Sequence, residues 1–339
     1  MEGEMEYFIF FFSALVVVLA GTRLASYGDI LATHTSLGHT LVGVILIATV
    51  TSLPEISSSV SASLIGSPDL AFGNVYGSNA FNIMIIAIAD IVQGPGSLLR
   101  MVRESHILST IFGIILTIIS IMAIIMAPYQ MFEATIGWIS SFSFFIIITY
   151  IMAMILMVRY ENKFPVPFEQ PSKLGNHTNK RYLVMETAVK FVIMAILIIV
   201  AGIQLSLNAD IIAENTGLGQ TFIGSLLIAG ATSLPELVAS IAAIRIGAYD
   251  MAVGNVLGSN LLNIMVIAIT DLSYFPGSVY AVVSQQHLLT ALTTILLSGI
   301  VVIGLFYRSK RSIMTMGWDS VLILSGYLMM LYILFKTSV

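Results

Sequence analysis

Glu55 and Glu236 each follow a proline within the pentapeptide Thr-Ser-Leu-Pro-Glu, and each lies inside an apolar stretch of membrane-spanning length. A carboxylate at bilayer depth is costly and by default marks an ion or proton pathway. Proline inside a helix withdraws one N–H and clashes with the preceding turn. Pro54 is therefore expected to free a carbonyl at Val50 or Thr51, and Pro235 one at Ala231 or Thr232. In hydrocarbon such a carbonyl needs a neighbouring donor, a water or a cation. Ser52 and Ser233 add a hydroxyl beside each break. The plainer alternative, a packing kink with a protonated glutamate, has to be invoked twice at equivalent positions.

Downstream of each glutamate runs Gly-Asn-Val-x-Gly-Ser-Asn-x-x-Asn-Ile, from Gly73 to Ile83 and from Gly254 to Ile264. Gly73, Gly77, Gly254 and Gly258 allow helices to approach closely. Asn74 and Asn255 read as hydrogen-bonding glue between helices. Ser78 and Asn82 share a helix face at i and i+4, as do Ser259 and Asn263. Those four either line a site or bond between helices. Two carboxylates, hydroxyls and carbonyls, with no sulfur, form a hard oxygen donor set that suits calcium first and magnesium or manganese second. Two ionised glutamates balance one divalent ion. Sodium competing for the same oxygens is a physical route to exchange, because an empty site with two buried charges resists reorientation.

Both motifs belong to a longer duplication. Segments 38–90 and 219–271 align without a gap at an offset of 181, with 30 of 53 positions identical. Weaker matches continue upstream, Ala20-Gly21 with Ala201-Gly202 and Asp29-Ile30 with Asp210-Ile211. The elements carrying them must be membrane helices: the 339 residues are 58% hydrophobic and 9% charged, with a mean hydropathy of +0.98. Ten apolar runs are long enough to span, at about 6–32, 39–65, 69–93, 104–127, 132–158, 183–213, 219–246, 250–274, 286–307 and 315–336. Their continuous apolarity excludes a β-barrel. The expected fold is thus an all-α integral membrane protein with ten transmembrane helices in two five-helix repeats, residues 1–158 and 183–339. A polar, proline-bearing linker, 159–182, joins them. No positive segment precedes the first run, which is expected to remain as a helix rather than a cleaved signal.

Lys and Arg gather after the third, seventh and ninth helices and around the central linker, whereas the intervening connections carry none. The positive-inside rule puts the linker in the cytoplasm and both termini outside a plasma membrane. Five helices per half then make the repeats inverted, the usual construction of secondary transporters with midplane ion sites. Asp29, Asp69, Asp90, Asp210, Asp250 and Asp271 read as helix-end or interfacial charges, with a role in ion access left open. His34, His39, His106, His177 and His287 read as interfacial. There is no cysteine, and no nucleotide-binding Gly-Lys-Ser/Thr loop that a pump would need. A net charge of -4 gives no reason to expect nucleic acid as a partner. The lipid bilayer is the expected surrounding.

At these paired motifs the chain resembles the cation/calcium antiporter superfamily, most closely the prokaryotic sodium/calcium exchangers with their two inverted alpha repeats. The resemblance implies that helices one and six slide across a core of helices two, three, seven and eight. It implies calcium held by the side chains of Glu55 and Glu236 with the carbonyls of Thr51 and Thr232. Sodium would be held by the same glutamates with Ser52, Ser233, Ser78, Ser259 and the carbonyls of Ala48 and Ala229. The chain departs from the pattern at Asn263, where the best-known prokaryotic exchangers carry an aspartate; Asn82 and Asn263 are both neutral here. A site charge of -2 rather than -3 argues against a three-sodium stoichiometry. Mitochondrial-type sodium or lithium/calcium exchangers share this neutral pattern in part. Glu236 argues against potassium dependence, and Ser-Leu-Pro-Glu against proton coupling. Proton-coupled divalent exchange and a passive divalent channel stand as alternatives to calcium/sodium antiport. An enzyme is not expected, since no nucleophile and base constellation accompanies the ion site, and no cofactor is implied.

Overall fold

A computed structural model describes residues 2–35, 38–127, 129, 135–164, 177–216, 229–308, 312–313 and 316–338. The chain opens with α1 (Glu2–His34). A broken element follows: α2 (Gly38–Leu41), a π-helical stretch over Val42–Ile47, α3 (Ala48–Thr51) and α4 (Leu53–Leu64). Next come α5 (Pro68–Gln93), the single turn α6 (Leu98–Met101), α7 (Ser105–Met126) and α8 (Ser141–Lys163). The second half holds α9 (His177–Thr216), α10 (Ala229–Thr232), α11 (Leu234–Arg245), α12 (Tyr249–Ser273), α13 (His287–Tyr307) and α14 (Trp318–Ser338). Two antiparallel hairpins, β1 (Thr135–Ile136) with β2 (Ile139–Ser140) and β3 (Ser312–Ile313) with β4 (Met316–Gly317), precede α8 and α14.

Among the described residues, eight helices are long and apolar enough to cross a bilayer, or nine if the bent pair Gly38–Thr51 and Leu53–Leu64 is one span. The protein is thus a multi-pass, all-helical membrane protein. The expected seventh span begins at 219–228, outside the described residues; so do the prolines and Gly175 of the linker. The run expected at 132–158 starts later, at Ser141, because Gly137 adopts a φ of +68° in the hairpin and Ser140 accepts the N–H of Phe142 as a helix cap.

Corresponding helices end by the same device. Gly66 and Gly247 take φ values of +81° and +80°, and the N–H groups of Ser67 and Ala248 reach back to Ala62 and Ala243 carbonyls, both at 2.9 Å. This is the Schellman stop, in which a left-handed glycine lets the chain satisfy the last carbonyls. The chain then re-enters at once as α5 and α12, which start with Asp69 and Asp250 in their first turns.

Burial sorts the helices. The central windows of α5 and α12 are 72% and 83% buried, against 22% to 50% for the other candidate spans. These two helices cross at the centre, and α7, α8, α13 and α14 pack around them. Phe8, Phe11, Ile148 and Phe306 on the outer helices are exposed, as lipid-facing side chains are. The long helices α1 and α9 pack along each other and against α4 and α11. At 33 residues, α1 is about 50 Å long, well over the hydrocarbon thickness, and so must tilt or project.

Candidate functional site

The two breaks are superimposable in kind. Ser52 and Ser233 have φ, ψ of -89°, 5° and -86°, 7°, leaving the helix for one residue before Pro54 and Pro235 restart it. Pro54 has no N–H to return to the Val50 carbonyl, and the first pair of segments bends by 44°. Ser52 N–H donates to the Ala48 carbonyl and Ser233 N–H to the Ala229 carbonyl, both at 3.0 Å. Each alanine oxygen also accepts from the threonine hydroxyl of its own break, Thr51 Oγ1 at 3.4 Å and Thr232 Oγ1 at 3.2 Å.

The glutamates are bound crosswise. Ser52 Oγ donates to Glu236 Oε1 at 2.9 Å, and Ser233 Oγ donates to Glu55 Oε1 at 3.2 Å, so each half supplies the hydroxyl for the other's carboxylate. Ser259 Oγ adds a bond to Glu236 Oε1 at 3.3 Å. Ser78 Oγ lies 3.3 Å from Thr232 Oγ1, tying α5 to α10. Thr51, Ser52, Glu55, Ser78 and Asn82 have 0% exposure, as do Thr232, Ser233, Glu236, Ser259 and Asn263. Ala48 and Ala229 are buried beside them.

Asn74 and Asn255 hold the scaffold behind the carboxylates. Asn74 Nδ2 donates to Ser59 Oγ at 3.2 Å and to the Glu55 carbonyl, while its Oδ1 accepts from Thr232. Asn255 Nδ2 bonds Ser240 Oγ at 3.0 Å and the Glu236 carbonyl, and its Oδ1 accepts from Thr51. Asn82 and Asn263 behave differently. Neither the oxygen nor the nitrogen of either carboxamide has a protein partner among the described residues, and the same is true of Glu55 Oε2 and Glu236 Oε2. Buried polar atoms are normally satisfied, so these groups have bonding capacity left for a ligand. No cluster of three or more His, Cys, Asp or Glu fit to hold a metal occurs among the described residues, so the site's formal charge rests on the two glutamates.

The remaining acidic residues do structural work. Asp90 and Asp271 are fully buried, not interfacial as expected. Asp90 accepts from the N–H groups of Leu98 and Gly317 at 2.6 and 2.8 Å. Asp271 accepts from Val279 N, Ser140 N and Ser143 Oγ at 3.0, 2.8 and 2.7 Å. Each clamps a hairpin to a core helix. Asp69 takes His287 Nε2 at 3.0 Å and Asp250 takes His106 Nε2 at 3.1 Å. His106 is fully buried, which corrects its interfacial assignment; the carboxylate of Asp250 supplies the partner that makes burial tolerable. These pairs were missed, although His106 and His287 stand at the same 181-residue offset as the motifs. The side chains of Asp210 and His177 lie outside the described set.

The sequence matches the family described as Sodium/calcium exchanger protein over residues 5–159 and 187–336. The chain belongs to this family. It is a cation/calcium antiporter rather than an enzyme. It is 26% identical to the inner membrane protein YrbG of Escherichia coli over 275 residues, 78% of each chain. Identity to the sodium/calcium exchanger MaX1 of Methanosarcina acetivorans is 25% over 316 residues, covering 87% of this chain and 88% of that one. The fold superposes on the sodium-calcium exchanger NCX_Mj with a TM-score of 0.70 at 20% identity, covering 96% of this chain and 97% of the other.

One contact between the outer helix pair and the breaks is asymmetric. A Cβ on Gly202 of α9 would overlap the ring of Pro54, standing 3.2 Å from its Cβ and closer to its Cγ. The counterpart, Gly21 of α1, faces Val238 instead, with Cγ1 at 2.9 Å from a built Cβ. Val238 lies three residues beyond Pro235, so the two helices seat about one turn apart against equivalent sequence.

Proposed function

We propose that the protein exchanges calcium for sodium by alternating access at a midplane site built on Glu55 and Glu236. The observation that carries this reading is the crossed pair of carboxylates, each held on one oxygen by a serine of the other half, with its second oxygen, like the carboxamides of Asn82 and Asn263, unpartnered among the described residues. Calcium takes the free carboxylate oxygens and the carbonyls of Thr51 and Thr232, in the six- to eight-oxygen shell typical of that ion. Sodium ions take the glutamates with Ser52, Ser233, Ser78, Ser259 and the carbonyls of Ala48 and Ala229, while Asn82 and Asn263 line the site as neutral donors of oxygen. Either one calcium or two sodium ions neutralise the pair. Neutralised, the site can pass through low dielectric; bare, it cannot.

In this reading the ten helices form two inverted five-helix repeats joined by a cytoplasmic linker at 159–182, with both termini outside a plasma membrane. The helices α1 and α9 are the moving pair, and their one-turn difference in seating on Val238 and Pro54 is the difference between an open and a closed side. Inverted repeats supply the alternate state by exchanging the two registers.

Calcium uptake into proteoliposomes tests this directly, with an outward sodium gradient compared against choline and against an imposed pH gradient. Uptake that requires internal sodium and is lost in both Glu55→Gln and Glu236→Gln is expected. Uptake driven by protons without sodium reassigns the coupling ion at the same carboxylates, and uptake needing no counter-ion reassigns the protein as a passive pore.

A further inference from the structure

Behind the carboxylate site, where α5 crosses α12, Asn79 and Asn260 form a reciprocal pair. Asn79 Nδ2 donates to the Asn260 carbonyl at 3.3 Å and Asn260 Nδ2 to the Asn79 carbonyl at 3.2 Å. These bonds fix which way both carboxamides point. Their Oδ1 atoms have no protein partner among the described residues, although the residues are only 1% and 6% exposed. Both residues line one small cavity between the core helices and α7 and α13.

Four of the other lining residues, which also include Leu257, Gly113 and Ser298, share one property. Thr110, Thr117 and Thr294 donate their hydroxyl hydrogens to the carbonyls of His106, Gly113 and Thr290, at 2.7, 2.8 and 2.9 Å. Ser109 donates to Met157 Sδ at 3.0 Å. What these groups turn to the cavity is therefore acceptor oxygen. A water brings two hydrogens, enough for the two carboxamides but not for the threonines. A bare cation satisfies every acceptor at once, as rings of neutral carbonyl oxygens do in ion filters. No carboxylate lines the cavity, so the charge that fits is single.

We propose that this cavity is a second cation site, distinct from the Glu55/Glu236 site, that takes a small monovalent cation of sodium's size and hardness on Asn79, Asn260, Thr110, Thr117 and Thr294. An ion there pins the crossing of α5 and α12, the two helices that carry Ser78, Asn82, Ser259 and Asn263. The assignment does not depend on which ions the carboxylate site transports.

Thr117 and Thr294 provide the perturbation: both line the cavity, and valine keeps the shape of the side chain while removing its oxygen. The test is the thermal unfolding midpoint of the purified full chain in detergent, titrated with sodium chloride against choline chloride, in the Glu55→Gln/Glu236→Gln background that removes the carboxylate site. A sodium-specific rise in midpoint is expected to persist there. It should be lost on adding Thr117→Val and on adding Thr294→Val. The absence of a sodium-specific rise, or its survival in both added variants, overturns the proposal. If the glutamine variants do not fold, high-resolution wild-type crystals grown in sodium chloride and in choline chloride decide. Density between Asn79 and Asn260 that is present in sodium only, at contacts shorter than hydrogen bonds, supports the site, and density at hydrogen-bond distances in both salts overturns it.

Discussion

Gly202→Ala and Gly21→Ala change repeat-equivalent glycines, yet the structure predicts unequal outcomes. A methyl on Gly202 meets the ring of Pro54, which is locked by its own backbone and starts a helix that carries Glu55. Carbon atoms in contact sit about 3.5–4.0 Å apart, so relieving the overlap requires α9 to move off α4 by about 1 Å. Overpacking of this kind costs about 1–3 kcal/mol, partly offset by the gain of about 1 kcal/mol from replacing glycine in a helix. At Gly21 the obstacle is Val238 Cγ1 at 2.9 Å, the end of a side chain that can yield by a few tenths of an ångström. The helix gain there cancels most of the strain. The population of this register should therefore fall in Gly202→Ala, by up to roughly 30-fold, the factor that the remaining ~0–2 kcal/mol commands at its upper end. The thermal midpoint should drop with it. In Gly21→Ala the thermal midpoint should stay close to wild type, a difference below about 0.5 kcal/mol. Calcium uptake should fall in both variants, because the exchanged register seats Gly21 on Pro235. Equal thermal midpoints in the two variants, or a wild-type midpoint in Gly202→Ala, would refute the claim that the helices sit in different registers on the breaks.

Two further substitutions probe charge and scaffold. With only two carboxylates at the site, wild-type exchange is expected to be electroneutral, so clamping the membrane potential with potassium and valinomycin should leave sodium-driven calcium uptake unchanged. Asn263→Asp adds a third carboxylate and should make uptake potential-dependent with a steeper sodium dependence; insensitivity of the variant to potential counts against Asn263 facing the ions. Asp271→Ala leaves the buried N–H groups of Ser140 and Val279 unsatisfied at about 1–3 kcal/mol each. It should lower the unfolding midpoint by several degrees without changing calcium affinity in the protein that remains folded, as titration calorimetry would show.

The chemistry was readable because a costly feature is written twice. One proline-glutamate pair in an apolar run has several explanations, whereas two at an offset of 181 with serine at the same place leave few. What the motifs do not carry is partnership. Nothing in Ser52 announces that its hydroxyl goes to Glu236 rather than to Glu55, because that follows from how the halves interlock. His106 was misread for a related reason: beside a helix start it looks interfacial, and the carboxylate that lets it be buried is 144 positions away. Its repetition at His287 was the available signal.

The seating of α1 and α9 lies further from the sequence still. Gly21 and Gly202 sit in matching Ala-Gly pairs, and the breaks they face are identical in sequence, yet one glycine rests on proline and the other a turn beyond it. A duplicated sequence favours neither register over its mirror assignment. The bias comes from the positions where the halves differ, such as Ser57 opposite Val238, and the two assignments need differ by only a few kcal/mol for one to dominate. A shift of about 5.5 kcal/mol in differential ion binding is enough to carry such an equilibrium from one side almost wholly to the other. Neutralising two buried carboxylates is an effect of that order. The near-identity of the repeats thus keeps both registers within reach of a bound ion, and it is also why the sequence alone does not say which of them is occupied.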